Sequence, residues 1–258
     1  MSHTPRKRFG QHFLSASDVV SDIIHAVAAN ENDTLVEIGP GLGALTIPLA
    51  NTGAELHAIE FDRDLAGPLR KRFSGVDNVT IHECDALKFD YASLGDDLRI
   101  VSNLPYNIST PMLFRLIEYK DHIRDLHLML QKEVVDRMAA APGNKSYGRL
   151  TIMLGCHMEV QPLFDVPPEA FSPPPKVRSA VVAMRPLPDS SFQIDDAALF
   201  STLIAKAFSQ RRKTVRNALK GLADEQLLES AGINPTDRPE RIPVDNWVTL
   251  ANSLQQTG

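Results

Sequence analysis

The chain has 258 residues, 43% hydrophobic and 23% charged, with a net charge of −5; this excludes a largely disordered chain, a collagen-like repeat and a coiled coil. No apolar run approaches the ~18 residues of a membrane helix, and the basic start Arg6–Arg8 leads into an interrupted stretch, Phe9–Leu14, that lacks the apolar core of a secretory signal. Two cysteines without paired spacing, Cys84 and Cys156, fit reduced thiols in a cytoplasmic protein, and eight histidines without ligand spacing give no reason to expect a metal.

Leu35–Ile38, Leu56–Ile59, Val79–His82, Ile100–Ser102 and His127–Leu130 read as strands, with Leu65–Phe73 and Thr110–Tyr119 among the crossover helices. That alternation specifies a mostly parallel α/β sheet covered on both faces. Leu150–Glu159 and Arg178–Arg185 read as two further strands, the second an antiparallel edge strand. Between them Val166–Pro175 carries five of the 18 prolines and is expected to be a stiff, extended loop. After the connector Pro186–Ser191 the pattern is helical. Phe200–Gly221 reads as one helix, with Phe208, Val215, Leu219 and Leu222 on one stripe and Arg212, Arg216 and Lys220 on another. Asp224–Ala231 and Val244–Leu254 follow, so a domain boundary near Leu187 divides the chain into 1–187 and a small all-helical 188–258.

Charge is unevenly placed. From Lys176 to Lys220 nine Lys/Arg stand against three acids (Asp189, Asp195, Asp196), a local +6, which leaves −11 on the other 213 residues. A basic segment on an acidic body reads as a focused anion-binding surface, with a solvated helical face as the alternative.

Three motifs carry chemistry. Glu37-Ile38-Gly39-Pro40-Gly41-Leu42-Gly43 follows the first strand, and its glycines let the backbone approach a ligand that a Cβ would exclude. The spacing is not that of a dinucleotide fingerprint, and Pro40 removes an N–H where a pyrophosphate would want one. Glu60 closes the second strand, where a carboxylate can accept from both ribose hydroxyls, and Asp85 ends the third, where it can accept from an adenine amine. Together they outline a nucleoside pocket whose acidic rim suits a sulfonium better than a diphosphate. The second motif, Asn103-Leu104-Pro105-Tyr106, stands at the fourth strand end. A side-chain carbonyl and the carbonyl before a proline can both accept from an exocyclic NH₂, and the Tyr106 ring offers a stacking face. In the third, Phe171-Ser172-Pro173-Pro174-Pro175-Lys176-Val177, polyproline stiffness is expected to hold Phe171 either as a second wall for a base or in a structural corner.

With Lys7–Leu14 and Phe208-Ser209-Gln210-Arg211-Arg212-Lys213-Thr214, these motifs run in the order found in the small-subunit (16S) ribosomal RNA adenine dimethyltransferases, which the chain resembles from about Lys7 to Leu250-Ala251-Asn252. His12 stands where that family commonly has Asn. The resemblance implies a Rossmann-like class I methyltransferase sheet in 1–187 and an RNA-contacting helical domain in 188–258. It implies S-adenosylmethionine as cofactor: His12 and Leu14 folded over it, Gly39 and Gly41 beneath, Glu60 on its ribose, Asp85 on its adenine, and Asn103 between it and the target. The implied substrate is two adjacent adenosines in the 3′-terminal hairpin loop of small-subunit rRNA, each dimethylated on its exocyclic amine. Asn103 and the Leu104 carbonyl would accept from that amine, Tyr106 and Phe171 would stack the base, and Arg211, Arg212, Lys213 and the Arg6–Arg8 arm would contact phosphates. The implied partner is the precursor of the small ribosomal subunit, with no membrane and no metal. No exposed apolar stripe demands a dimer, so a monomer is expected. A ribosome-assembly factor with secondary catalysis, a methylase of large-subunit rRNA, a dinucleotide-dependent oxidoreductase and a DNA adenine methylase are the rival readings.

Overall fold

The structure is a computed structural model and describes residues 12–189 and 191–256; Arg6–Arg8 and the start of the Lys7–Leu14 motif lie outside them. In chain order the elements are β1 (Phe13–Leu14), α1 (Ser17–Val27), β2 (Thr34–Ile38), α2 (Thr46–Ala50), β3 (Glu55–Glu60), α3 (Arg63–Arg72), β4 (Val79–Glu83), β5 (Leu98–Asn103), α4 (Ser109–Ile117) and β6 (Ile123–Gln131). There follow α5 (Lys132–Met138), α6 (Arg149–Gly155), β7 (Met158–Val166), β8 (Phe171–Ser172), β9 (Ser179–Pro186), α7 (Ala197–Ser209), α8 (Val215–Ala218), α9 (Glu225–Ser230) and α10 (Val244–Gln256). Two compact units result, one running to Val135 and including Val160–Pro186, the other Asp136–Glu159 with the chain from Leu187 onward. Segment Asp136–Glu159 thus packs with the helical unit, whereas a single cut at Leu187 leaves it in the first domain.

The first unit is built on a seven-stranded sheet of order β4-β3-β2-β5-β6-β9-β7. The first five strands are mutually parallel, and β9 pairs antiparallel with β6 from Leu126↔Met184 to Gln131↔Ser179. The antiparallel side of the sheet is therefore made by β9 with β7 outside it, so Arg178–Arg185 is next to the edge and not on it. β2 and β5 are buried along most of their length, as central parallel strands with both faces covered must be. The chain runs from β2 outward to β4, then returns to β5 on the other side of β2, which makes the β2/β5 carboxyl ends the switch point where open α/β sheets bind ligands.

At the opposite, amino-terminal ends of the strands lies a buried ion network. Arg99 on β5 is 8% exposed and donates from Nη1 to Asp33 (2.9 Å), from Nε to Asp125 on β6 (3.0 and 3.1 Å) and from Nη2 to the Val27 carbonyl (2.5 Å). Arg124 also bonds Asp33. Burial alone would raise the Asp33 and Asp125 carboxyls, but hydrogen bonds from Arg124 and Asn30 to Asp33, the His127 ring 3.5 Å from Asp125, and hydrogen bonds from Arg99 to both outweigh it and hold both below the ordinary range.

Two elements differ from the sequence reading. Leu150–Glu159 is not one strand: Arg149–Gly155 is helix and β7 starts at Met158. A short continuous apolar run does not distinguish a buried strand from a buried helix. Here Thr151 Oγ1 accepts from the Gly148 N–H (3.0 Å) and opens a helix whose Ile152 packs with Phe200, Leu203 and Trp247. Phe200–Gly221 is likewise two helices, α7 and α8, separated by the turn at 210–214. Asp196 caps α7 by accepting from the Ala198 and Leu199 N–H groups. The N–H of Val215 bonds the Asp237 carbonyl (2.7 Å) and that of Arg216 the Pro235 carbonyl (3.2 Å), so the loop 235–237 replaces the helical partners. Arg212 therefore does not share a helical face with Arg216 and Lys220.

Candidate active site

A cleft of about 320 Å³ opens at the carboxyl ends of β2, β3, β4 and β5, lined among others by His12, Leu14, Gly39, Gly41, Glu60, Asp85 and Asn103–Tyr106. The glycine turn forms its floor. Gly39 and Gly41 have φ of +71° and +59°, conformations that L side chains rarely adopt. A Cβ on Gly41 would also stand 3.2 Å from the Phe13 ring, so the strand β1 that passes over the turn demands glycine there.

Glu60 ends β3, and burial raises its carboxyl above the ordinary value although backbone amides of Asp62 and Gly41 bond it. Oε1 accepts from the Asp62 N–H (2.8 Å) and Oε2 from the Gly41 N–H (3.0 Å), which fixes the carboxylate and leaves each oxygen a further lone pair. Asp85 Oδ1 accepts from the Leu87 N–H (3.0 Å). Beneath the glycine turn Glu37 is 2% exposed, its Oε2 has no hydrogen-bond partner among the described residues, and burial pushes its carboxyl up to about 8, with the Glu60 charge adding to the rise. A group raised this way contributes stability in full below its unfolded value near 4.5 and loses it as pH climbs through about 8. Wild-type protein is therefore expected to lose roughly a few kcal/mol of stability between about pH 5 and pH 9 that Glu37→Gln retains, read from urea unfolding at both pH values. Equal losses in the two proteins would contradict a protonated Glu37.

The opposite wall is the turn after β5. Asn103 Nδ2 donates to the His12 carbonyl (3.3 Å), an acceptor that only the amide nitrogen can serve, so the side-chain oxygen Oδ1 is left as the acceptor; it takes no hydrogen bond from any described residue. The Leu104 N–H bonds the Met129 carbonyl (3.1 Å), which ties the turn to β6. Tyr106 is half-buried, its hydroxyl 2.7 Å from Ser179 Oγ and its ring 5.8 Å from that of His12. His12 Nδ1 donates to the Pro173 carbonyl (2.8 Å), so in the neutral ring Nε2 remains an acceptor.

Two expected roles meet a different geometry. Phe171 does not line the cleft. It is 3% exposed, paired with Leu14 across β1 and β8, and packed with Leu14, Val166 and Ala170, so its ring serves the core and forms no second wall for a base. In the helical unit, Arg211, Arg212 and Lys213 are all exposed, but Arg211 Nη2 donates to the carbonyls of Lys145 (2.7 Å) and Tyr147 (3.0 Å) and so clasps the 210–214 turn to the loop before α6. Sequence reasoning also passed over Phe61 and Leu42, which line the cleft and are 60% and 53% exposed; a large apolar residue directly after a strand-end acid was the available signal. Among the described residues no group of three His, Cys, Asp or Glu could hold a metal, and no helix is long and apolar enough to cross a membrane.

An order with β2 and β5 flanking the switch point, a glycine turn under a carboxylate-rimmed nucleoside pocket and an asparagine turn opposite define a class I methyltransferase. The chain belongs to the ribosomal RNA adenine dimethylase family, whose model matches residues 2–256. It is 51% identical over 252 residues to the ribosomal RNA small subunit methyltransferase A of Nitrosospira multiformis, covering 98% of this chain and 97% of that one. To the protein of the same name from Chromobacterium violaceum it is 52% identical over 257 residues, covering 99% and 98%. Among solved structures it is similar to a dimethyladenosine transferase from Plasmodium falciparum (TM-score 0.84, 27% identity, 96% and 98% covered). It shares its fold with the 23S rRNA methyltransferase ErmE (TM-score 0.71, 23% identity, 95% and 100% covered).

Proposed function

We propose that this protein transfers methyl groups from S-adenosylmethionine to the exocyclic amines of two adjacent adenosines near the 3′ end of small-subunit rRNA, dimethylating each. The observation that carries the reading is the free Oδ1 of Asn103, held at the switch point by the bond from Nδ2 to His12 and aimed by a rigid strand end. The residues of the cleft fit the cofactor: the glycine turn that Phe13 closes over, the orphaned buried Oε2 of Glu37, the paired oxygens of Glu60 and the rim carboxylate Asp85. When bound, S-adenosylmethionine supplies an electrophilic methyl on a sulfonium, which needs neither a metal nor a strong base. Glu60 would hold the ribose, Asp85 the adenine, and His12, Leu14, Gly39 and Gly41 the remainder.

On the target side, Asn103 Oδ1 and the Leu104 carbonyl would accept from the adenine NH₂, withdraw its lone pair from the ring and stabilise positive charge as the nitrogen is alkylated. Pro105 has no N–H to compete. Taking the base from its stack costs a few kcal/mol, less in a loop, and a Tyr106 face would return about 1–3 kcal/mol.

In the helical unit, Arg212 and Lys213 are the phosphate contacts, with Arg211 shaping the surface through Lys145 and Tyr147. Reversing the charge of either Arg212 or Lys213 is expected to weaken binding to small-subunit RNA and to lower the slope of log affinity against log salt by about one unit. An unaltered slope would remove them from the interface. The protein would act in the cytoplasm on small-subunit precursors, as a monomer. Calorimetry tests the cofactor reading: S-adenosylmethionine is expected to bind, whereas tight NADH binding in its place would restore the oxidoreductase reading.

A further inference from the structure

We infer that Ser179 is a positioning residue that fixes the Tyr106 ring, and through it the seat of the target base; this rests on the functional reading above. Ser179 opens β9 and is 0% exposed. It pairs with Gln131 on β6, and the next two pairs of the ladder are apolar, Ala180 with Leu130 and Val181 with Met129. A hydroxyl there is costly unless bonded, and an alanine would fill the site as well. Among the described residues its hydroxyl bonds Tyr106, 2.7 Å away. The two ends of that bond differ in rigidity. Ser179 sits in the β6/β9 ladder as the partner of Gln131, and Lys132, which follows β6 and opens α5, donates its N–H to the Arg178 carbonyl (2.9 Å). Tyr106 stands on the turn beyond β5 and reaches back to it with the far end of its side chain. A bond at the phenol tip stops the ring swinging about its Cα–Cβ axis, so the stacking face is set by β9 and not by the turn that carries it.

The same segment holds the neighbouring ring. Pro173, six residues before Ser179, accepts from His12 Nδ1, and the His12 and Tyr106 rings lie 5.8 Å apart with planes 30° from parallel. Pro173 and Ser179 thus clamp, from one stretch of chain, the two rings at this wall of the cleft. This gives the proline-rich motif a use at the site although Phe171 is turned into the core: it supplies the clamp, with Tyr106 as the platform.

The test is a double-mutant cycle of Y106F, S179A and the pair, measured as methyl transfer to undermethylated small subunits. Alongside it, NMR of protein labelled with ¹³C in its four tyrosine rings, with the Tyr106 signal assigned by its loss in Y106F, reads the ring directly. Each single change is expected to lower kcat/KM for RNA about tenfold, the loss of one hydrogen bond's worth. The double variant should fall no further, S179T should restore most of the loss, and S-adenosylmethionine affinity should be unchanged in all of them. The Tyr106 signal should shift or broaden in S179A and return in S179T. Additive losses, or a Tyr106 signal unmoved in S179A, would overturn the inference. If wild type methylates no small-subunit RNA, the functional reading falls, and the NMR arm still decides whether Ser179 holds the ring.

Discussion

Replacing Asn103 with alanine is expected to lower the single-turnover rate of methyl transfer about 10²–10³-fold, the scale of removing one preorganised polar group aimed at developing charge. Asn103 closes β5 at the switch point, and its amide is held in one orientation because the His12 carbonyl can only accept. On the proposed reading the variant would lose the Oδ1 acceptor for the target amine. It also loses the tie to His12, one neutral bond at 3.3 Å, so cofactor affinity should fall only by a small factor. Asn103→Asp separates the two functions. It keeps acceptor oxygens but sets a carboxylate against the His12 carbonyl, so it should weaken cofactor binding more than alanine does. Single-turnover kinetics with saturating RNA and calorimetry with S-adenosylmethionine give both numbers. An alanine variant within tenfold of wild type in rate would mean that the acceptor lies elsewhere.

Arg99→Leu is expected to destabilise the first unit by about 3–5 kcal/mol, the cost of removing one partner from a buried ionic network. The guanidinium joins Asp33, just ahead of β2, to β5 and β6 at the end of the sheet away from the cleft, and its loss leaves Asp125 buried with His127 and a 4.0 Å contact to Arg124. For a chain of this size that is a fall in Tm on the order of 10 °C. The pH dependence has a definite sign. Asp33 and Asp125 titrate below the ordinary 3.8 in the folded protein, so their stabilisation is full above that value and drains as pH falls through the folded values. The variant should lose less stability than wild type on acidification below about pH 4. A wild-type-like Tm would show that the network is energetically idle, as replacement of an entire buried ion pair by apolar groups can be.

What the sequence displayed and what it concealed divide along one line. The glycine turn, Glu60, Asp85 and Asn103–Tyr106 all line the cleft, because parallel strands carry their reacting groups at the carboxyl ends and each strand end is a local pattern. Features set by distant partners were not legible. The Phe171 ring turns inward because β8 pairs with β1, more than 150 residues earlier in the chain. The break between α7 and α8 carries no Gly or Pro, and is made by carbonyls of Pro235 and Asp237 that arrive after the helix. Arg211 reads as one of three equivalent cations until its bonds to Lys145 and Tyr147 are seen. The apolar run in α6 fits either period, and packing against α7 decided it. Arg99 on a central strand gave no sign that Asp33 and Asp125 would meet it.

The most direct measurement is transfer of labelled methyl from S-adenosylmethionine to small ribosomal subunits isolated without this modification, followed by nucleoside analysis of each RNA. Dimethyladenosine at two adjacent positions near the 3′ end of the small-subunit RNA is the expected product, with two methyls per adenosine. Label confined to large-subunit RNA, or tight binding to the small subunit with no label at all, would contradict it.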